Sequence, residues 1–362
     1  MEVTGCRFED AGQARIVIGN PVGGLHVRFR NCRLADAAPN PKPRFPIIFS
    51  SRSGDAEDIG QVCFEDFLLV DATARAPIGL ENPAGVCLKQ IQGRIIVQKG
   101  RETIRHDLGP EWLQRHFPCD PVRQLPYVSL ERVGVAENKR PCGKMQELAR
   151  HRLRGMARYL VFAQQGESVQ VELAYEHVGR YGGKPLKVQV LGPEGRAIRN
   201  VIISLQESGF LEFQAPASGL YHLVAEPGLN TVRSVRSSHP VAIAGHQGVI
   251  HLLGTVGDYY FRLPAHKPAG ISLAGQGPKE RFSVELCDLA GQRLWQQYDC
   301  DSPRSVLLEP KNTDRVLRLR LLRPQQGAFE DVFLQLRGIV PVVSFWPEFL
   351  LEQRDAQGPA AR

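Results

Sequence analysis

From Val3 to Gln98 the chain repeats one short pattern of apolar and turn-forming positions four times, as Val3-Thr4-Gly5-Cys6-Arg7-Phe8, Phe29-Arg30-Asn31-Cys32-Arg33-Leu34, Phe64-Glu65-Asp66-Phe67-Leu68-Leu69 and Ile91-Gln92-Gly93-Arg94-Ile95-Ile96. In each copy an apolar residue stands two positions before a small or polar turn former, Gly5, Asn31, Asp66 or Gly93, and a second apolar alternation follows. These turn formers are 26, 35 and 27 residues apart. A second pattern lies downstream of the first three copies, beginning at Ile16, Pro46 and Pro77. One period therefore predicts three short strands and three turns. A unit of that size buries its apolar face only by stacking on its neighbours, which is the signature of a solenoid. The expected architecture for residues 1–108 is a right-handed parallel β-helix.

The first coil begins at once with Val3, and no amphipathic or polar cap precedes it. Because an uncapped end rung exposes its core, the stretch is expected to hold only the C-terminal coils of a longer helix. Residues 109–156 read as a cap and a basic linker. Pro110 suits the first turn of a helix, and Trp112, Leu113 and Phe117 give that helix an apolar side to plug the last rung before Pro118 stops it. Lys144–Met156 reads as a helix or an extended connector.

From Arg158 the alternation becomes longer and cleaner. Val169-Gln170-Val171-Glu172-Leu173, Leu186-Lys187-Val188-Gln189-Val190 and Tyr221-His222-Leu223-Val224 alternate in and out between glycine-containing turns. Asp258–Leu263, Phe282–Gly291 and Arg315–Leu321 repeat the arrangement. Several short strands at this spacing predict sandwiches. The fold class expected for the whole chain is all-β, a parallel β-helix followed by two tandem antiparallel β-sandwiches, at 157–244 and 245–350, with a polar tail at 351–362.

Composition changes this picture little. Glycine (35) and proline (26) suit many short strands joined by punctuated turns. Of the eight cysteines, Cys6 and Cys32 fall at equivalent rungs, where small apolar thiols form an inward ladder. The other six lack the paired two-residue spacing of a zinc site, so neither a metal nor a cofactor is expected. The formal charge of +7 concentrates between Lys139 and Arg158, with no aromatic residue interleaved until Tyr159. Single-strand binders need stacking platforms, so nucleic acid is not an expected partner. No run of residues approaches the length of a membrane-spanning helix. Met1–Asp10 carries Glu2, Arg7, Glu9 and Asp10 where a signal peptide would be apolar.

Phe162–Leu173, the Val188–Gly195 strand and turn, and Phe213–Val224 with its Ser218-Gly219-Leu220-Tyr221 turn resemble the bacterial pre-peptidase C-terminal domain, a small β-sandwich appended to secreted enzymes. Val316–Leu322 lacks that turn, so the second half departs from the pattern. Residues 1–108 resemble the pectate-lyase-like β-helix family, whose members are largely polysaccharide lyases and glycoside hydrolases. That resemblance is one of pattern, without a shared motif, and a fold does not by itself give a function. It implies an extracellular or periplasmic setting and a polysaccharide or cell-surface glycan as partner.

The same resemblance implies that the outward side of each third strand lines a groove. Taking Ile16 and Ile18 as inward, the outward set is Arg15, Val17 and Gly19, then Pro46, Ile48 and Ser50, then Pro77, Gly79 and Glu81. Hydrolysis of a glycosidic bond calls for two carboxylates across a sugar, and elimination calls for a base with a neutralising cation. Glu81 is the one acid on this face. Asp36, Asp71, Arg44 and Arg75 are the candidates that flanking loops could add, against the simpler reading that Asp36 and Asp71 cap turns. Tyr175, Tyr181, Tyr259, Tyr260, Trp295, Tyr298 and Trp346 are candidates for a sugar-stacking platform, against core or edge packing. Two functions follow. One is the C-terminal portion of a carbohydrate-active enzyme, a polysaccharide lyase or glycoside hydrolase. The other is a non-catalytic surface or glycan-binding protein.

Overall fold

The computed structural model describes residues 1–8, 16–19, 25–36, 45–50, 59–71, 76–81, 88–117, 120–139, 142–246, 248–275 and 280–353. The chain is all-β, with one short α-helix and two 3-10 turns among the described residues, and divides into two units, Met1–Arg123 and Gln124–Arg362.

The first unit holds β1 (Glu2–Thr4), β2 (Arg7–Phe8), β3 (Ile16–Gly19), β4 (His26–Arg30), β5 (Arg33–Asp36), β6 (Ile47–Ser50), β7 (Ile59–Asp71), β8 (Ile78–Glu81), β9 (Leu88–Lys99) and β10 (Glu102–Leu108). Parallel pairing runs β1–β4–β7–β9, with β2–β5 joining β7 beyond its bend, and a separate parallel sheet runs β3–β6–β8. The repeat read from sequence matches the register of its first three copies, where Val3 pairs with Phe29 and Phe29 with Phe64, but the fourth is offset: Val62 pairs with Ile91 and Phe64 with Gly93, with a register shift between Phe64 and Phe67.

All four turn formers adopt positive φ: 64° at Gly5, 51° at Asn31, 51° at Asp66 and 101° at Gly93. Gly5 N–H donates to Arg30 O and Asn31 N–H to Glu65 O, both at 2.9 Å, so the first three bends are bonded in series. At Gly93 a side chain is excluded outright, since a Cβ would come within 2.0 Å of the Phe64 carbonyl oxygen. Behind the bends Phe29 and Phe64 stack at 5.3 Å and 9°, and Phe67 meets both edge-on. Cys32 is buried in this core and Cys6 packs against it, both as free thiols.

β10 turns back antiparallel along β9, pairing Glu102 with Lys99 through to Leu108 with Gly93. The helix α1 (Pro110–His116) follows, and Trp112, Leu113 and Phe117 pack on the core of this unit. Their spacing puts the three on one side of a single helical turn and a half.

The second unit contains β11 (Val133–Asn138), β12 (Gln146–Glu147), β13 (Leu153–Ala163), β14 (Ser168–Glu176), β15 (Leu186–Leu191), β16 (Ala197–Ile203), β17 (Ser208–Gln214), β18 (Gly219–Ser237), β19 (Val241–Ala244), β20 (Val249–Leu253), β21 (Gly257–Leu263), β22 (Ala269–Gly275), β23 (Phe282–Asp288), β24 (Arg293–Cys300), β25 (Arg304–Leu308), β26 (Arg315–Leu322), β27 (Asp331–Arg337), β28 (Val342–Ser344) and β29 (Phe349–Gln353). These strands pair antiparallel, 17 of them in one continuous sheet and β11 with β29 in another. The inward rows expected from alternation are buried, among them Val169, Val171, Val188, Val190, Tyr221 and Leu223. One apolar cluster extends from Leu148 to Phe345, and the pairs β13–β20 and β19–β28 cross position 244.

In the basic stretch before Tyr159, Arg154 lies on β13 and Arg152 just before it, and both are ion-paired. Arg154 Nη1 reaches the buried Asp331 at 3.0 and 2.7 Å, and His251 Nε2 meets the same carboxylate at 2.6 Å. Arg152 and Arg233 both pair with Glu176, at 3.3 and 2.5 Å. Buried arginines need such partners, because an unpaired charge out of water is costly.

Candidate functional site

The parallel strands bring some of the residues singled out from sequence together and keep others apart. Glu81 ends β8 beside Ser50 of β6, which in turn pairs with Gly19 of β3. Asp36 of β5 lies opposite Asp71 of β7, in the other sheet. Asp71 is buried. Arg44 and Arg75 lie outside the described residues, as do the side chains of Asp36 and Glu81.

The outward row next to Glu81 is Val17, Ile48 and Gly79. Val17 is exposed, but Ile48 is fully buried, contrary to the expectation from alternation. The central strand of a parallel sheet is commonly covered on both faces. Phe45 supplies part of that cover, since a Cβ at Gly79 would come within 1.9 Å of its ring.

The aromatic candidates divide sharply. Tyr175 and Tyr259 are buried, Tyr260, Trp295 and Trp346 are half-buried, and Tyr181 and Tyr298 are exposed. Tyr298 is tied through its hydroxyl to Glu285. Tyr181 instead lines a cleft of about 600 Å³, within the range usual for small-ligand sites.

The loop 177–185 between β14 and β15 builds one wall of this cleft. Asn230, buried on β18, holds the loop from beneath: its Oδ1 accepts from Val178 N–H at 3.0 Å, and its Nδ2 donates to Gly182 O at 3.3 Å and to Tyr175 Oη at 3.4 Å. The loop can descend this far because Gly183 has no side chain; a Cβ there would stand 2.5 Å from Tyr175 Oη. Above these contacts the Tyr181 ring is 47% exposed, with the Arg154 guanidinium 6.0 Å from its centroid. The opposite wall is the 224–230 stretch of β18, where Leu229 is exposed.

Lys184, Lys187, Gln189 and Glu226 complete the polar lining. Glu226 is the one carboxylate among the lining residues, which suits binding better than acid–base hydrolysis of a glycoside. Tyr175 and Tyr181 were among the candidates read from sequence. Asn230, Gly183 and Arg154 were not, and no local pattern marks them, because their partners lie across strands or loops distant in the chain.

Among the described residues no cluster of three His, Cys, Asp or Glu side chains could hold a metal ion, and no helix is long and apolar enough to cross a membrane. No family model matches the chain, and no curated protein does. Among solved structures, the tandem CBM51 modules of the family 98 glycoside hydrolase Sp3GH98 from Streptococcus pneumoniae SP3-BS71 align at 9% identity and a TM-score of 0.19, over 60% of this chain and 98% of that one. The M60 catalytic domain with CBM51-1 and CBM51-2 from Clostridium perfringens ZmpB aligns at 6% identity and a TM-score of 0.20, over 63% and 38%. Procruciferin, the 11S globulin of Brassica napus, aligns at 6% identity and a TM-score of 0.16, over 62% and 87%. At these scores the likeness carries no argument about fold or function.

Proposed function

We propose that the chain is a glycan-binding protein acting outside the cytoplasm, with the Tyr181 cleft as a contact site for polysaccharide or cell-surface glycan. In this reading the first unit is the C-terminal coils of a right-handed parallel β-helix of the pectate-lyase-like kind. The parallel strands and the four bends of positive φ, the first three bonded in series, support that reading. The second unit is a pair of β-sandwich modules sharing one core, the first of the pre-peptidase C-terminal kind.

The observation that carries the function is the exposed Tyr181 ring over a cleft rimmed by Lys184, Lys187, Gln189 and Glu226. A sugar presents an apolar C–H face to an aromatic ring and hydroxyls to polar side chains around it. Calorimetric titration of the purified chain against a polysaccharide panel tests this. Tyr181→Ala should weaken binding to the recognised glycan by about tenfold or more, with an unchanged circular dichroism spectrum. Equal affinity in that variant, or no binding across the panel, would sink the reading.

A second reading, a polysaccharide lyase or glycoside hydrolase, is favoured by the placement of Asp36 beside Asp71 and of Glu81 at the end of β8. Reducing-end and unsaturated-uronate assays on the same panel decide it. Product formation abolished by Glu81→Gln would establish Glu81 as a catalytic group. Binding without product would leave the non-catalytic reading alone.

A further inference from the structure

Tyr127 is 44% exposed, yet most of its side chain is immobilised. The guanidinium of the buried Arg337 lies over one face of the ring, 3.5 Å from its centroid. Gln335, buried on β27, donates from Nε2 to Tyr127 Oη at 2.7 Å. Gly248 abuts the ring's edge: a Cβ there would lie 2.3 Å from Cε1 and 2.5 Å from Cδ1 but 3.6 Å from Cζ, the spacing of an in-plane approach.

The neighbouring backbone is tied as well. Pro126 O accepts from Gly338 N–H at 2.9 Å, and Leu125 O accepts from Arg337 Nη1 at 3.3 Å. One face, one edge and the hydroxyl are thus held by residues more than 100 positions away in the chain. The half-exposed ring lines a cleft of about 550 Å³, together with Val128, Ser129, Glu131, Lys267 and Gln353.

An aromatic ring already locked in place loses little side-chain freedom when a ligand stacks on it, so its contact area converts efficiently into affinity. Ser129 and Gln353 offer hydrogen bonds to hydroxyls, and the single acid Glu131 is balanced by the single base Lys267. Such a lining favours a neutral ligand with one apolar face and a polar circumference.

We propose that the Tyr127 cleft is a preformed binding site for a neutral pyranose, whose C–H face stacks on Tyr127 and whose hydroxyls meet Ser129, Glu131, Lys267 and Gln353. It shares no lining residue with the Tyr181 cleft and does not rest on it.

The full chain labelled with 3-fluorotyrosine, observed by fluorine NMR, tests both clefts at once. Tyr127→Phe and Tyr181→Phe assign the two resonances by deleting them. The probes are methyl β-D-glucopyranoside, methyl β-D-galactopyranoside, methyl β-D-glucuronide and a proline-rich peptide. The expected result is a saturable shift of the Tyr127 resonance with a neutral glycoside, weaker with the glucuronide. Tyr127→Ala should reduce affinity by about tenfold or more and Tyr127→Phe by less than about threefold. A Tyr127 resonance unmoved by every sugar would overturn the proposal. So would movement with the peptide alone, which would make the cleft a peptide site. A shift confined to Tyr181 would overturn this site while leaving the function proposed for the other cleft intact, and a shift confined to Tyr127 would do the reverse.

Discussion

The two units solve the same problem, an all-β core, with opposite connectivity. In Met1–Arg123 equivalent positions of successive parallel strands lie side by side, so Phe29 stacks on Phe64, and the bends at Gly5 and Asn31 each hydrogen-bond the next. In Gln124–Arg362 the strands run antiparallel, and buried charges tie distant ones, with Arg154 bound to Asp331 and His251 bound to the same carboxylate. The first unit is held at its corners, the second at buried polar knots within its sheet. Damage should therefore concentrate at different kinds of residue in each.

The largest effects test that contrast directly. Gly93→Ala places a Cβ against the Phe64 carbonyl at a φ of 101°, and should destabilise the first unit by about 4 kcal/mol. Urea unfolding followed through Trp112, in a background carrying Trp295→Phe and Trp346→Phe, isolates this unit. A transition midpoint unchanged from the parent would break the corner argument. Asp331→Asn leaves the buried Arg154 without its countercharge and should cost the second unit about 3–5 kcal/mol. Unfolding read through Trp295 and Trp346, with Trp112→Phe, should report the loss while the Trp112 signal of the complementary background stays unchanged.

Next in size is a pH effect. His151 is fully buried, its Nδ1–H donating to Ala149 O at 2.8 Å and its Nε2 lying 3.1 Å from Tyr159 Oη. Burial outweighs the Ala149 contact and lowers its pKa from 6.5 to about 4. The unfolded chain then binds a proton between pH 6.5 and 4 that the folded chain does not. The stabilisation is complete above pH 6.5 and is lost as pH falls towards 4, on the order of 3 kcal/mol from this group. His222, also lowered to about 4 by burial and by Arg158, steepens the same decline. In the first unit the partly buried His106 is lowered in the same direction, by burial and by the charge of His116, but it is far less buried than His151, so acid should weaken that unit less. Equal losses in the two units between pH 7 and 4.5 would contradict this.

The smallest effect sharpens the first. Gly5 also has a positive φ, but nothing stands within 4 Å of where its Cβ would be. Gly5→Ala should cost only about 1 kcal/mol, the strain of the left-handed region without a clash. A penalty equal to that of Gly93→Ala would show that backbone conformation, and not the close approach of neighbouring strands, limits the bends.

The bends were legible in the sequence because a repeating unit imposes the same local demand at each turn, and Gly5, Asn31, Asp66 and Gly93 answer it with residues that tolerate positive φ. The cap of Trp112, Leu113 and Phe117 was legible from helical spacing. Ile48 was misplaced because alternation alone does not reveal that a parallel strand is covered on both faces. The clefts were barely legible. Tyr181 stood out only as one aromatic among seven, and Tyr127 did not stand out at all, because Gln335 and Arg337 hold it from 208 and 210 residues further along the chain. Contacts of that range leave no periodicity to read.

The antiparallel return of β10 along the Gly93–Lys99 half of β9 gives the first unit a direction. That half of β9 is paired on both sides, so the edge of the ladder there is β10. A strand added on this side would pair with β10, the antiparallel end of the order β1–β4–β7–β9–β10, and so would meet a different hydrogen-bond pattern from that of the parallel strands.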